Sequence, residues 1–364
     1  FRGAFVYLRA DTHTLMKRIL LYVALTFVAT QMYGQKNIVR FFPAAAVSTG
    51  GDKNVQELVK GYITPITEDF GSLINNGWYN TAATHKRFGF DLTVTLNSLS
   101  AKSDEQRFIT PTLSGVQFDG TTGKNDKAPT AYGPEKEFPN FHYTSGPNNG
   151  KAFQGPDGGI NKDVPIGSIV VPTIQAGIGL FANTDLRIRY TPKVTVGDND
   201  MENWGVGVHH DIKQHIPGMK ELPFSLAVFV AYSQSKATAD LSGEYSASGT
   251  TQEGIGETSA FTAQVMISKK LAIVTFYGAV GYNGSKTEYS IKGSYLVDHA
   301  FFGGATVLLT PVTLSNPFTL TSKLNGVRAT GGLRINLGPV IMNGDYSFVN
   351  AKGMFSAGFG FTVR

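Results

Sequence analysis

The sequence predicts an all-β fold: a transmembrane, antiparallel, up-and-down β-barrel of about 10–14 strands, about 12 being the central expectation for an even-numbered barrel. An amphipathic helical segment precedes it. Three observations carry this expectation. Long segments alternate apolar with small or polar residues at period two. An apolar stretch near the N-terminus has the form of an export signal. Charged residues make up only 16% of the 364, with 42 Gly and 12% aromatics, against about 25% charged residues in ordinary soluble domains.

The N-terminal elements come first. Met16-Lys17-Arg18 is followed by an apolar run from Ile19 to Ala29 and a small residue at Gly34. This is the pattern of a signal peptide over 16–34, and its apolar run is too short to span a bilayer. Residues 1–15 then read as sequence upstream of the true start. Residues 1–35 carry Arg2, Arg9, Lys17 and Arg18 against Asp11, so the formal charge of +5 falls to +2 without them. No Lys/Arg cluster accompanies that charge, which excludes a nucleic-acid partner. The absence of Cys excludes a disulfide scaffold, a Cys-ligated metal and a lipidated Cys.

Residues 35–80 form the helical segment. Val55, Leu58, Val59, Tyr62, Ile63, Ile66, Phe70, Leu73 and Ile74 recur at helical spacing over 54–76. Pro65 is expected to kink or break that helix. Leu58, Tyr62, Ile66 and Phe70 are its candidate plug face. The segment either enters the lumen or caps the periplasmic rim.

The barrel occupies 81–364. In 87–97, Phe88, Phe90, Leu92, Val94 and Leu96 alternate with Arg87, Gly89, Asp91, Thr93, Thr95 and Asn97. The same period recurs in 172–180, 186–190, 204–208, 224–232, 261–268, 272–282, 327–337, 342–348 and 355–364. A lipid-facing strand needs about 9–11 tilted residues, apolar outward and small or polar inward. Short turns at Ala182–Asp185, Ser268–Lys270 and Gly338–Val340 alternate with long connections, of which 101–167 is the largest. Further strands have room in 101–167 or 293–325. A short helical turn is expected at 211–218, stopped by Pro217-Gly218. Trp78, Tyr190, Trp204, Tyr232, Tyr282, Tyr346 and Phe348 suit interfacial girdles.

The run Asn76-Gly77-Trp78-Tyr79-Asn80-Thr81-Ala82, with His85-Lys86 and Gly89–Val94, resembles a family of Gram-negative outer-membrane barrels of unknown function. So does Gly207-Val208-His209-His210-Asp211-Ile212-Lys213-Gln214, with Ile216-Pro217 and Leu222-Pro223-Phe224. The resemblance covers most of the chain and implies an outer-membrane location. The order of helix then barrel is also similar to FadL-type hydrophobic-solute transporters, at the level of fold. The terminal strand, with Phe355, Phe359, Phe361 and Val363 on one face, resembles the signal read by the barrel-assembly machinery. It departs from that signal by ending in Val363-Arg364 instead of Phe.

Strand parity places Asp91, Arg187, Arg189, Asp211, Arg328, Arg334 and Asp345 toward the lumen. They form either a charged constriction that selects solutes by sign or internal ion pairs of a filled barrel. The near balance of four cations and three anions favours ion pairs. His209 and His210 point to opposite faces of a strand, so no metal site is expected there. Ser233 and Lys236 match S-x-x-K but also face oppositely. No GxSxG or HExxH occurs, and Gly303-Gly304 has no helix behind it to hold a phosphate. No catalytic residue and no cofactor is therefore expected. The function expected is a monomeric channel or transporter for small solutes, apolar ones included, surrounded by outer-membrane lipid. The alternative is a non-conducting barrel subunit or scaffold of an envelope complex.

Overall fold

The computed structural model describes residues 37–159, 168–196, 199–247, 250–350 and 352–363. The expected signal peptide and the residues before it lie outside the described residues, as do 160–167 of the long connection and Arg364.

Ten strands close the barrel. They are β1 (Phe90–Ser100), β7 (Ser168–Gly179), β8 (Thr184–Val196), β9 (Asn199–Asp211), β10 (Ser225–Asp240), β11 (Glu253–Leu271), β12 (Val274–Lys292), β15 (Phe318–Leu337), β16 (Val340–Val349) and β17 (Lys352–Val363). Each pairs antiparallel with its barrel neighbours, and β1 bonds both β17 and β7 to complete the ring. Closure satisfies every ladder without leaving an edge, the condition for a sheet in lipid.

The count is ten where twelve was the central expectation. Strands do occur in 101–167 and 293–325, but among the described residues those outside the ring form other sheets. Within those stretches β2 (Arg107–Phe108) pairs β4 (Ala128–Pro129), and β3 (Val116–Thr121), β5 (Pro139–Tyr143) and β6 (Ala152–Gln154) form a three-stranded sheet. The hairpin of β13 (Ser294–Phe302) and β14 (Ala305–Ser315) stands apart from the ring. The turn expected at Ser268–Lys270 lies further on, at Ala272-Ile273, because β11 continues to Leu271. Ala272 takes the left-handed conformation that so tight a turn requires (φ 52°).

The parity of each strand sorts its side chains. Phe90, Leu92, Val206, Val265, Phe276, Leu333, Phe359 and Phe361 face outward and are exposed, whereas Asp91, Thr93, Thr95, Thr262, Gln264 and Ser356 face inward and are buried. The short turns 180–183, 272–273 and 338–339 lie level with the start of β1 and the end of β17, which makes that side periplasmic, although it also holds the connection 212–224. The longest connections, 101–167 and 293–317, are on the opposite, extracellular side. There β10, β11, β12 and β15, of 16, 19, 19 and 20 residues, exceed the roughly 9–11 needed to cross lipid. Their upper ends support a cap built from the extra sheets.

The N-terminal segment supplies the cap with its core. A 3-10 segment, Asn37–Ala45, buries Phe41 and Phe42. Phe42 meets Tyr295 edge-on at 4.8 Å, and Phe41 meets Tyr62 at 5.8 Å. Helix α1 (Gly51–Leu73) follows, and is uninterrupted at Pro65. The expected break does not occur because packing on both sides of the proline holds the helix: Val55, Leu58, Val59, Tyr62 and Ile63 are buried in the cap core above, and Leu73 below. A methyl group added at Gly71 would lie 2.5 Å from Ser285 Oγ, so the helix lies hard against the inner wall.

Candidate functional site in the threaded lumen

The segment from α1 to β1 runs down the barrel. Asn54 donates to Ala44 O and Ser114 O in the cap, at 3.1 and 2.8 Å. Thr67 O accepts from Thr287 Oγ1 at 3.2 Å. Below the helix, Trp78 O accepts from Gln175, Tyr79 O–H donates to Gln264 at 2.6 Å, and Ala82 N donates to Ser268 Oγ at 3.0 Å. His85 then reaches the periplasmic end, where Gly89 and Phe88 bond the end of β7. The chain thus enters from the extracellular side and leaves at the periplasmic rim before rising as β1. Of the two placements expected for the helix, it takes the lumen, at its extracellular end. Leu58 and Tyr62 of the plug face lie in the cap core, with Ile66 and Phe70 packed against that core.

The four arginines converge on this thread. Arg189 donates to Ile74 O and Asn76 O, both at 2.8 Å, and lies 4.0 Å over the Trp78 ring. Arg328 donates to Asn75 O at 2.8 Å and to the side chains of Asn76 and Ser347. Arg334 donates to Asn80 Oδ1 at 2.7 Å. All are at most 1% exposed. Ile74, Asn75 and Asn76 follow the last turn of α1, whose final carbonyls carry the negative end of the helix dipole. Arg189 and Arg328 therefore cap a helix C-terminus as much as they balance carboxylates.

Arg187 has a different role. It stands 3.3 Å from Asp91 and 3.7 Å from Asp185. Asp185 accepts from the His85 backbone N–H and meets His85 Nδ1, both at 2.9 Å, and lies 3.6 Å from His209 Nδ1. This group fastens the thread where it turns into β1. Asp345 accepts from Tyr277 O–H at 3.0 Å on the far wall.

Six of the seven charged residues expected in the lumen are gathered around the thread. Asp211 is not. It sits at the periplasmic rim and accepts from Lys213 N at 2.8 Å, at the start of the short 3-10 turn Lys213–His215. The third buried aspartate of the barrel wall, beside Asp91 and Asp345, is Asp185, which the sequence reading assigned to a turn. Trp78 is likewise corrected: it is 1% exposed, inside the lumen, whereas Tyr190, Trp204, Tyr282, Tyr346 and Phe348 face outward. His209 is buried inward and His210 stands 3.0 Å from His215 at the rim. Ser233 faces the lumen and Lys236 faces out.

A second charged group ties the thread to the cap. Lys352, at the top of β17, lies 2.7 Å from Asp69, 2.6 Å from Glu105 and 3.6 Å from Glu68. Tyr132 O–H donates to Asp69 at 2.9 Å.

A closed, lipid-facing antiparallel ring with a polar interior defines a transmembrane β-barrel of the outer-membrane class. Within that class, the chain belongs to the Family of unknown function (DUF6588), which it matches over residues 16–363. No curated protein matches the sequence. Among solved structures, it is similar to the attachment invasion locus protein Ail of Yersinia pestis, with 8% identity, 76% of this chain and 100% of that chain covered, and a TM-score of 0.26. It is also similar to the translocator domain of autotransporter NalP from Neisseria meningitidis, with 11% identity, 76% and 88% covered, and a TM-score of 0.28. For the outer membrane protease OmpT of Escherichia coli the values are 9%, 76%, 97% and 0.24. At these values the likenesses carry no functional argument.

Proposed function

We propose that the protein is a non-conducting outer-membrane barrel that anchors and positions an extracellular cap, serving as a surface scaffold. The observation that supports this reading is the thread. From the lower end of α1 to His85 the chain runs through the lumen to the periplasmic rim, held by Arg189, Arg328, Arg334 and Asp185. Charges that would select a solute in an open pore are here bonded to the chain's own carbonyls and carboxylates. The segment joins the cap core above to the barrel floor below, so it braces one against the other.

In this reading the protein is a monomer surrounded by outer-membrane lipid. The barrel-assembly machinery receives it through β17, whose Phe355, Phe359, Phe361 and Val363 face outward. The rival function, passage of small solutes, requires the thread to leave the lumen. Single-channel recording of the intact, refolded protein in a planar bilayer separates the two. A silent bilayer is expected, with folding confirmed by heat-modifiable migration. Steady conductance steps from the intact protein would overturn the proposal in favour of transport.

A further inference from the structure

The periplasmic rim carries a pair of side chains that neither the cap nor the thread uses. His210 is the last outward position of β9, half-buried, and stands across the ladder from Thr184 and Val228. His215 ends the 3-10 turn Lys213–His215 and is exposed. Their Nε2 atoms are 3.0 Å apart, and their rings stack with centroids 5.3 Å apart at an angle of 25°.

The connection after β9 is fastened so that it returns His215 to this place. Lys213 N donates to Asp211 at 2.8 Å, and His215 N donates to Ile212 O at 3.1 Å. Gln214 donates to Ala182 O at 2.9 Å and to Asp211 O at 2.8 Å, and accepts from Asn183 at 3.0 Å. Lys213 Nζ donates to Phe224 O at 2.8 Å. The turn is thus tied to the β7–β8 connection on one side and to the entry of β10 on the other. His210 is oriented as well. The Thr184 hydroxyl donates to Ala182 O at 3.3 Å, so it accepts from His210 Nδ1 at 2.8 Å. A proton held on Nδ1 leaves the Nε2 lone pair directed at His215, and a hydrogen-bonded Nδ1–H is the usual support of a metal-ligating imidazole. His215 Nε2–H donates to that lone pair when no ion is bound. Because His215 is exposed, its proton can pass to Nδ1 through solvent, which turns a second lone pair to the same point.

Two nitrogens 3.0 Å apart, each about 2.0–2.1 Å from a metal, subtend about 95° at it. A tetrahedral ion would need them about 3.3 Å apart, whereas square-planar and tetragonal ions take adjacent ligands at about 90°. Copper(II) has that preference and stands highest in affinity among the divalent first-row ions. We propose that His210 and His215 form a copper(II) site at the periplasmic face, binding through both Nε2 atoms in adjacent equatorial positions. Among the described residues no third His, Cys, Asp or Glu joins them in a cluster, so water fills the other positions and the ion is exchangeable. His209 is buried on the inward face and takes no part. The site is independent of whether the lumen conducts.

The test uses the full, untagged barrel folded in detergent, in a buffer without chelating groups, with copper(II) sulfate as the probe. Isothermal titration calorimetry should give one copper(II) per barrel, with nickel(II) weaker and calcium(II) not bound. H210Q and H215Q should each weaken copper(II) at least about tenfold. H142Q, which removes a surface imidazole of the cap, should leave the affinity unchanged. Electron paramagnetic resonance of the one-to-one complex should show two coordinated imidazole nitrogens, and one in either rim variant. Both rings lie at the rim outside the barrel interior, so heat-modifiable migration should be unchanged in the variants. A single coordinated nitrogen in the parent, an affinity that survives both rim substitutions, or calcium(II) binding of equal strength would overturn the proposal.

Discussion

Replacing Arg189 by Met tests whether the arginines hold the thread. The change keeps an unbranched stem of similar length but removes two 2.8 Å bonds, to Ile74 O and Asn76 O, and the stacking on Trp78. A bond from a charged donor contributes about 1.5–3 kcal/mol, so two account for roughly 3–6 kcal/mol. Removing the cation also relieves its desolvation, which leaves a net local loss of about 2–4 kcal/mol. The amides of Ile74, Asn75 and Asn76 report it, because they bond Phe70 O, Ser72 O and Leu73 O at the end of α1. Hydrogen exchange at these three amides should accelerate roughly 30- to 1000-fold, while amides of β11 and β12 keep their rates. Arg189→Lys should fall between, since an ammonium cannot reproduce the planar fork or the stack. Unchanged exchange at 74–76, or equal acceleration throughout the ring, would refute the idea that Arg189 secures the thread.

Four further outcomes follow from the same geometry. An epitope inserted at Ser48-Thr49, exposed in the cap, should be labelled on intact cells; labelling only after permeabilisation would reverse the direction of the thread. The chain has two Trp, and brominated lipid should quench outward Trp204 but leave Trp78 in a Trp204→Phe variant unquenched. Lys352→Met leaves Glu68, Asp69 and Glu105 around an absent cation, so it should cost about 3–5 kcal/mol and increase proteolysis near Gln106; resistance equal to the parent would count against that latch. Arg107 bonds Glu137 in the cap and holds its carboxyl below the usual range. A depressed carboxyl stabilises above its ordinary pKa of about 4.3 and loses that contribution as pH falls toward the folded value. Glu137→Gln should therefore weaken protection of residues 121–137 by about 1 kcal/mol at pH 7, by an amount that shrinks as pH falls below about 4.3.

The barrel was legible because lipid and lumen impose opposite demands on neighbouring residues. Phe359 and Gly360 alternate for that reason, and so do Leu92 and Thr93. The cap was not, since Tyr295 and Val297 alternate just as clearly but bury their apolar face against Phe42. Period two identifies a strand without saying which layer covers it, and this is why twelve strands were expected where ten close. Amphipathic spacing in α1 similarly gave a face but no direction of travel. Trp78 suits an interface as well as an interior, and only the path of the thread places it. Asp185 went unread because it follows Ala182 and Asn183, which are turn residues, although β8 has already begun at Thr184. The shortlist of lumen charges was otherwise recoverable from parity alone, because an inward position in a narrow barrel leaves a long side chain few partners but the thread.

Those partners decide what the charges do. A selectivity ring must leave its charge available to a passing ion, whereas Arg189 and Arg328 spend theirs on the carbonyls that follow α1. A helix end carries about half an elementary charge, so it complements two guanidinium groups only in part. The remainder falls to Asp91 and Asp185 on one wall and Asp345 on the other. A barrel whose interior charges are so distributed is most stable with the helix in place. Withdrawing the thread would leave four buried cations facing three carboxylates, an arrangement that costs several kcal/mol per unpaired ion unless water enters to solvate them. If a gate exists, opening must therefore couple to hydration of the lumen, and the Arg189→Met variant should lower that barrier. Conductance absent from the parent but present in this variant would assign the thread a gating role, whereas silence in both, with accelerated exchange at 74–76, would leave it a structural brace.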